Sequence, residues 1–351
     1  MGCQKCTTGP KVIAAAGSVI MNGEVPEIAI KFRHYLAEQS ITAKVEGERA
    51  LLFQVDDFSK FIQSLCDDDS FSKVERNAIS LLFLQEGETL SAASLGCIKS
   101  LQQYYDLLQT VHLATLIEEG ALTVHFQPVV DLDSKTLFGV EALARGFDRN
   151  GEIIMPNQMI DWANKGDMLF YLDRSCRENA LKMAATHQLS SKLFINFIPT
   201  AIYDPEHCLR TTVNIAQQLD LNPKDIVFEV IRSEQVVDSE HLKRILGFYK
   251  KKGFSVALDD IDGSQSSLEL MHYLRPDFIK IKRELIAHID QDHHKQALLK
   301  TVTQIAAEQA ITVIAKGVEH EKEAEYCRDL GVHLAQGNLY GLPSPTVDLA
   351  W

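Results

Sequence analysis

The chain has no apolar run near the roughly 18 residues that a membrane-crossing helix requires, and its opening MGCQKCTTGPK lacks the apolar core of a secretion signal. Both absences make the cytoplasm the expected location and a membrane partner unexpected. Positive charge is scarce: 35 Lys and Arg stand against 48 Asp and Glu, a formal net charge of −13. A general binder of nucleic-acid polymers needs basic patches, so that class is excluded. A small anion held by metal ions or a few arginines is not. The 7 cysteines are an odd number without the spacing of a disulfide framework. Only Cys3 and Cys6 form a C-x-x-C pair, and no second pair or Cys/His set stands at zinc-ligand spacing. That pair is read as two reduced, solvated thiols, with metal or redox use as the alternative. Low-complexity segments and solenoid repeats are missing, as is the glycine-rich first turn of a dinucleotide-binding sheet.

What is there suits a soluble protein of two parts. An apolar fraction of 46% supports a real core, and 351 residues exceed one ordinary domain. Residues 1–110 read as a small α/β or α+β domain with a sensory or regulatory role. PEIAIKFRHYLAEQ carries Ile28, Phe32 and Leu36 at helical spacing, and ITAKVEGERALLFQV reads as two strands around an EGER turn. DDFSKFIQSLCDD opens with a helix cap and sets Phe58, Phe61, Ile62 and Leu65 on one stripe. Aromatic pairs such as Phe58/Phe61 and Tyr104/Tyr105 are expected in the core or at a dimer contact, not around a cofactor. A helix is expected from about Leu95 to Glu119, stopped by Gly120.

Over residues 111–351 the pattern changes to short apolar strands alternating with helices: VHFQPVV, GVEALAR, LFINFI, IVFEVI, SVALDDI, FIKIK, TVIAK and LAQGNLY. Eight strands interleaved with helices give the size and grammar of a (β/α)8 TIM-like barrel. Barrel strands bury both faces, so a charge inside one needs a reason. Here strand after strand carries one: Glu141, Asn196, Glu229, Asp259 with Asp260, Lys280, and Lys316 with Glu319 just beyond. If these lie near the carboxyl ends of the strands, they converge on one mouth, where barrel enzymes build their sites. Glu141, Asn196, Glu229 and the two aspartates are hard oxygen ligands suited to Mg²⁺, Mn²⁺ or Ca²⁺. Two such ions can clamp a phosphodiester and activate water. Lys280 would neutralise phosphate charge or orient that water, and Arg145, on the strand face of Glu141, is placed to fork onto a phosphate.

These segments resemble the EAL-domain family, bacterial phosphodiesterases that linearise cyclic di-GMP. The resemblance runs over about residues 112–349 through FQPVVDL, GVEALAR, FINF, FEVIRSE, ALDDIDGSQSSL, PDFIKIKREL, VIAKGVEHEKEAE and QGNLYGLPSP. It implies a barrel, a homodimer, and a dinucleotide site at the mouth using Mg²⁺ or Mn²⁺. By that resemblance the metal ligands are Glu141, Asn196, Glu229 and Asp259, with Asp260 beside a second ion. Lys280 and Glu319 are catalytic, and Gln127, Pro128, Arg145 and Gln336 contact the ligand.

The departures fall in the catalytic half. Where the family has a glutamate before G-V-E, acting as base on the metal-bound water, this chain has Lys316. A protonated ammonium cannot accept a proton, and its charge opposes a second cation. The family's loop-holding glutamate is Arg232, the aspartate after its I-K-I lysine is Lys282, and its D-D-F-G-T-G-Y-S-S loop reads D-D-I-D-G-S-Q-S-S. Lys316 is expected to pair with Asp260 or Glu319 and to stand in for the second ion. The leading expectation is a degenerate EAL domain that binds cyclic di-GMP, or a partner protein, with little or no hydrolysis and with or without a bound ion. The alternatives are a working metal-dependent phosphodiesterase producing pGpG, and a nucleotide-free interaction module.

Overall fold

The structure, a computed structural model, describes residues 15–68, 70–148, 150–166, 168–230 and 238–346. The expectations for Cys3, Cys6 and Arg232 therefore lie outside the described residues. The chain divides into two compact units, one running to Glu119 and taking in Met159–Leu169, the other Gly120–Gln158 with the chain from Phe170 onward. Among the described residues, no helix is long and apolar enough to cross a membrane.

The first unit is built on five strands, β1 Gly17–Gly23, β2 Ala43–Glu46, β3 Ala50–Val55, β4 Ile79–Gln85 and β5 Lys99–Ser100. They form one antiparallel sheet in the order β2-β3-β1-β4-β5, an α+β arrangement. Asp57 caps the helix Phe58–Asp67 by accepting from Lys60 N. Its stripe of Phe58, Phe61, Ile62 and Leu65 is buried with Phe32, Phe53, Phe71 and Phe83 in a core rich in aromatic rings. Tyr104 belongs to the same core, while the Tyr105 hydroxyl reaches Asp67. The long helix begins at Leu101, not near Leu95. Lys99 and Ser100 pair with β4, and Ser100 then forms a capping box with Gln103.

The second unit contains β6 Leu122–Asp131, β7 Leu137–Phe147, β8 Ile153–Ile154, β9 Lys192–Phe197, β10 Ile226–Val230, β11 Ser255–Ile261, β12 Phe278–Ile281, β13 Thr312–Lys316 and β14 Leu334–Gln336. The order β6-β14-β13-β12-β11-β10-β9-β7, with β6 also paired to β7, closes an eight-stranded barrel, and β8 is added at the end of β7. The alternation of strand and helix fails at one place. Only residues 132–136 separate β6 from β7, too few for a crossover helix, so β6 runs antiparallel to both its neighbours. Asp131 holds that turn by accepting from Asp133 N and Ser134 N. The expected LAQGNLY strand ends at Gln336, because the chain at Gly337 passes so close to Val318 that a Cβ would lie 2.1 Å from its carbonyl oxygen.

The parity of the strands explains the site. Val129, Phe194, Val227, Ala257, Phe278, Ile314 and Leu334 form one buried apolar cluster, a single residue from each of seven strands, and constitute the floor of the barrel interior. Side chains alternate with a period of two, so the next interior layer toward the mouth takes one residue from every strand. That layer is Gln127, Glu141, Asn196, Glu229, Asp259, Lys280, Lys316 and Gln336.

Candidate functional site at the barrel mouth

The polar layer closes into two hydrogen-bonded groups. In the first, Glu141 is the hub: Oε1 accepts from Asn196 Nδ2 at 2.6 Å, and Oε2 accepts from Lys280 Nζ and from Gln336 Nε2, each at 2.7 Å. Gln336 Nε2 also lies 3.1 Å from Gln127 Oε1, and Gln127 Nε2 donates to Gly341 O. Lys280, wholly buried, sits 2.6 Å from Glu229 Oε2 as well, so one ammonium serves two carboxylates above the ring of Phe194. The second group is Lys316 with the two aspartates. Its Nζ is 2.5 Å from Asp259 Oδ2 and 3.1 Å from Asp260 Oδ1.

Asp260 reaches that position through a bulge. The pairing of β11 with β12 slips between Leu258 and Ile261, and Asp260 adopts φ +55, a left-handed conformation that aspartate tolerates better than most residues. Asp259 Oδ1 accepts from Asp260 N at 2.7 Å and fixes the turn.

Electrostatics divides the carboxylates by their donors. Burial pushes the Glu141 carboxyl up, but the Lys280 ammonium and the donors from Gln336 and Asn196 outweigh it and hold the group at about 2. Glu229 goes the other way. Burial and the charges of Glu141 and Asp259 raise it well above its ordinary value against the pull of Lys280. No described residue donates a well-oriented hydrogen bond to either Glu229 oxygen, although both are buried. Asp259 is raised by burial and by Glu141 and Asp260, against Lys280 and Lys316. Burial draws Lys316 down, but Asp259 and Asp260 raise it above the ordinary lysine value, so it stays an ammonium.

The remaining expected residues stand apart from these groups. Arg145 is buried two interior positions beyond the layer, four residues on from Glu141, and its Nη1 donates to Ala144 O at 2.8 Å. Pro128 packs beside Gly341, where a Cβ would lie 3.0 Å from Pro128 Cγ. Glu319 is not a partner of Lys316, the alternative left open by the sequence. Its Oε2 is 2.6 Å from Arg283 Nη2. Lys282 faces Glu284 at 3.8 Å. Sequence reasoning missed Arg283 and also Glu323, a buried carboxylate that accepts from the backbone of the Glu319 turn. The available signal for Arg283 was its place just past the carboxyl end of a barrel strand.

Among the described residues, no group of three or more His, Cys, Asp or Glu is gathered so as to grip a metal ion. The reason is visible in the ion pairs, since Lys280 and Lys316 lie among the carboxylates. The donor chemistry of Glu141, Asn196, Glu229 and Asp259 nevertheless fits one hard divalent cation, and the unsatisfied, buried Glu229 Oε1 is a free donor for it. A second cation fits poorly, because Lys316 covers Asp259 and Asp260.

Known proteins share this family and fold. The family described as EAL domain matches residues 110–343. The probable cyclic di-GMP phosphodiesterase PdeG of Escherichia coli (strain K12) is 29% identical over 246 residues, which cover 68% of this chain and 47% of PdeG. The chain spans between about a third and just over half the length of the curated relatives it matches. A standalone versatile EAL protein from Vibrio cholerae O395, in its c-di-GMP-bound form, superposes with a TM-score of 0.58 at 35% identity, covering 64% of this chain and 93% of that one. The calcium/cyclic di-GMP complex of Klebsiella pneumoniae BlrP1 gives a TM-score of 0.59 over 95% of this chain and 98% of that one. At 18% identity that likeness is one of fold.

Proposed function

The chain belongs to the EAL domain family, and from that premise we propose that it binds cyclic di-GMP at the barrel mouth and hydrolyses it slowly or not at all. The observation that carries this reading is the Lys316 ammonium, 2.5 Å from Asp259 and 3.1 Å from Asp260. It stands where the family's base stands, and with its pKa raised it keeps its proton. Loss of a general base alone removes about 10²–10⁴-fold in rate. The ligand-facing side is intact by comparison. Gln127, Pro128, Arg145 and Gln336 match the family's ligand contacts, and the buried Gln336 Oε1 has no donor, an acceptor for an N–H of a bound base.

Glu141, Asn196, Glu229 and Asp259 would hold one Mg²⁺ or Mn²⁺, which when bound polarises a phosphoryl oxygen and acidifies water. Lys280 keeps its proton between Glu141 and Glu229 and supplies fixed positive charge beneath the phosphate. A second reading, a slow phosphodiesterase using that single ion, is favoured by the orphaned Glu229 oxygen. The proposal also takes the chain to be a cytoplasmic homodimer with residues 1–110 as its input domain. Light scattering tests the dimer.

Calorimetry with cyclic di-GMP, followed by incubation with Mg²⁺ or Mn²⁺ and a read for linear pGpG, tests the central claim. Micromolar binding with negligible pGpG is expected. Turnover of about 1 s⁻¹ or faster, an ordinary enzymatic rate, overturns it. Absence of binding leaves the chain an interaction module.

A further inference from the structure

His125 lies on the interior face of β6, between two of the residues matched to ligand contacts. Interior positions on that strand run Val129, Gln127, His125 toward the mouth. On the facing strand β7, Glu141 stands opposite Gln127, Leu143 opposite His125, and Arg145 opposite Thr123. Diagonal neighbours on an antiparallel ladder are about 7–8 Å apart, within reach of long side chains. The His125 imidazole and the Arg145 guanidinium therefore border one space. Phe126, on the outward face, is buried with its ring against that of His187, whereas His125 is half-buried. The Pro343 carbonyl accepts from the His125 ring. That carbonyl is held in place by the next residue, since Ser344 N donates to Phe126 O at 3.0 Å and Phe126 N to Ser344 O at 2.7 Å. Arg145 is 7% exposed, donates to the Ala144 carbonyl and, among the described residues, forms no ion pair. A buried guanidinium without an acid is a place for an anion.

We infer that His125 is a further binding residue of the mouth: its imidazole takes a proton from solvent as a phosphodiester of the dinucleotide settles against Arg145, so that binding is tighter in mild acid than in mild base. This deepens the reading above and rests on it. Without a ligand, burial and the Arg145 charge hold the imidazole below the ordinary histidine range, so it is neutral at neutral pH. A phosphodiester beside Arg145 offsets that positive charge and adds a negative one, and both changes favour the imidazolium. The other charged side chain on the facing strand is Glu141, already engaged by Asn196, Lys280 and Gln336. Thr123 and Gln127 on β6, Leu143 on β7, Gln336 on β14 and residues 341–344 bring no charge to the ring. A group whose pKa is higher in the complex than in the free protein strengthens binding fully below the free value. That gain is lost as pH rises through the bound value. A difference of one unit between the two is worth about tenfold in affinity.

Calorimetry of cyclic di-GMP binding to the full-length chain, from about pH 5.5 to about pH 8 and in buffers of different ionisation enthalpy, reads affinity and proton uptake together. Each series is run with EDTA and with Mg²⁺. Binding is expected to weaken about three- to tenfold across that range, with net proton uptake near the middle of it. His125→Gln keeps a donor for the Pro343 carbonyl but cannot gain a charge. It is expected to lose the slope and the uptake, and to bind as weakly at every pH as the unaltered chain does at the alkaline end. Constant affinity without proton uptake in the unaltered chain overturns the role of His125 and leaves the cyclic di-GMP reading standing. A glutamine variant that keeps the slope does the same. Absence of binding at every pH, with EDTA and with Mg²⁺, overturns that reading and the inference with it. Should circular dichroism show that His125→Gln does not fold, His125→Asn carries the same comparison.

Discussion

Replacing Lys280 by methionine would preserve most of the apolar stem and delete one positive charge from a place water does not reach. The ammonium is 2.7 Å from Glu141 and 2.6 Å from Glu229, and its side chain is 0% exposed. Removing one partner of a buried ion pair costs about 3–5 kcal/mol, because the other charge is left uncompensated. In a unit of this size each kcal/mol shifts the melting temperature by about 2–4 °C, so a fall of roughly 6–20 °C is expected in metal-free buffer. Divalent ions should narrow the gap, since Mg²⁺ can supply the missing charge. A ligand at about 100 times its dissociation constant stabilises by about 2.7 kcal/mol.

The pH dependence has a definite sign. In the unaltered protein, Glu141 is depressed from 4.5 to about 2. Its stabilising contribution is present above pH 4.5 and fades as pH falls toward 2. Without the ammonium, burial prevails and raises both glutamates, so they take up protons as pH falls below neutrality. The deficit of Lys280→Met against the unaltered chain should therefore be larger at about pH 8 than at about pH 5. Calorimetric melts at the two pH values, with EDTA and with Mg²⁺, measure it. A loss under about 1 kcal/mol, or a deficit that grows on acidification, would refute the view that this lysine holds the carboxylates together.

Two further substitutions probe the supports of the site. Asp173→Asn should cost about 3–5 kcal/mol in urea unfolding, since its Oδ2 accepts from the buried Arg177 at 2.7 and 3.0 Å and its Oδ1 from Ile198 N at 2.8 Å, just past Asn196. A loss below about 1 kcal/mol would mean this pair does not anchor the end of β9. Gly317→Ala should cost about 1–3 kcal/mol from its left-handed backbone and its contact with Arg283, read as a lower melting temperature. Unchanged stability would show that the turn is not held as described.

Much of the barrel could be read from the sequence because its governing signal is local. Short apolar runs interleaved with helices located all eight strands, and the polar residues inside those runs, Glu141, Asn196, Glu229, Asp259 and Lys280, marked the mouth. The reversed β6 was also open to reading, since the residues between VHFQPVV and GVEALAR cannot hold a crossover. What stayed hidden is of another kind. Lys316 lies on β13 and Asp259 on β11, with β12 between them, so their contact follows from barrel closure and not from any spacing along the chain.

The capture of Glu319 by Arg283 is less local still. A lysine placed before a G-V-E turn suggests an ion pair with the glutamate three residues on or with Asp260, and sequence alone does not choose between them. The three-dimensional reason is space and competition. Gly317 leaves room for the Arg283 stem, that stem delivers a guanidinium to Glu319, and Asp259 and Asp260 then satisfy Lys316. Each basic residue takes the acid nearest to it, which pairs the charges of the outer mouth in the absence of any ion. A substitution that frees only one of those acids should therefore change stability before it changes chemistry.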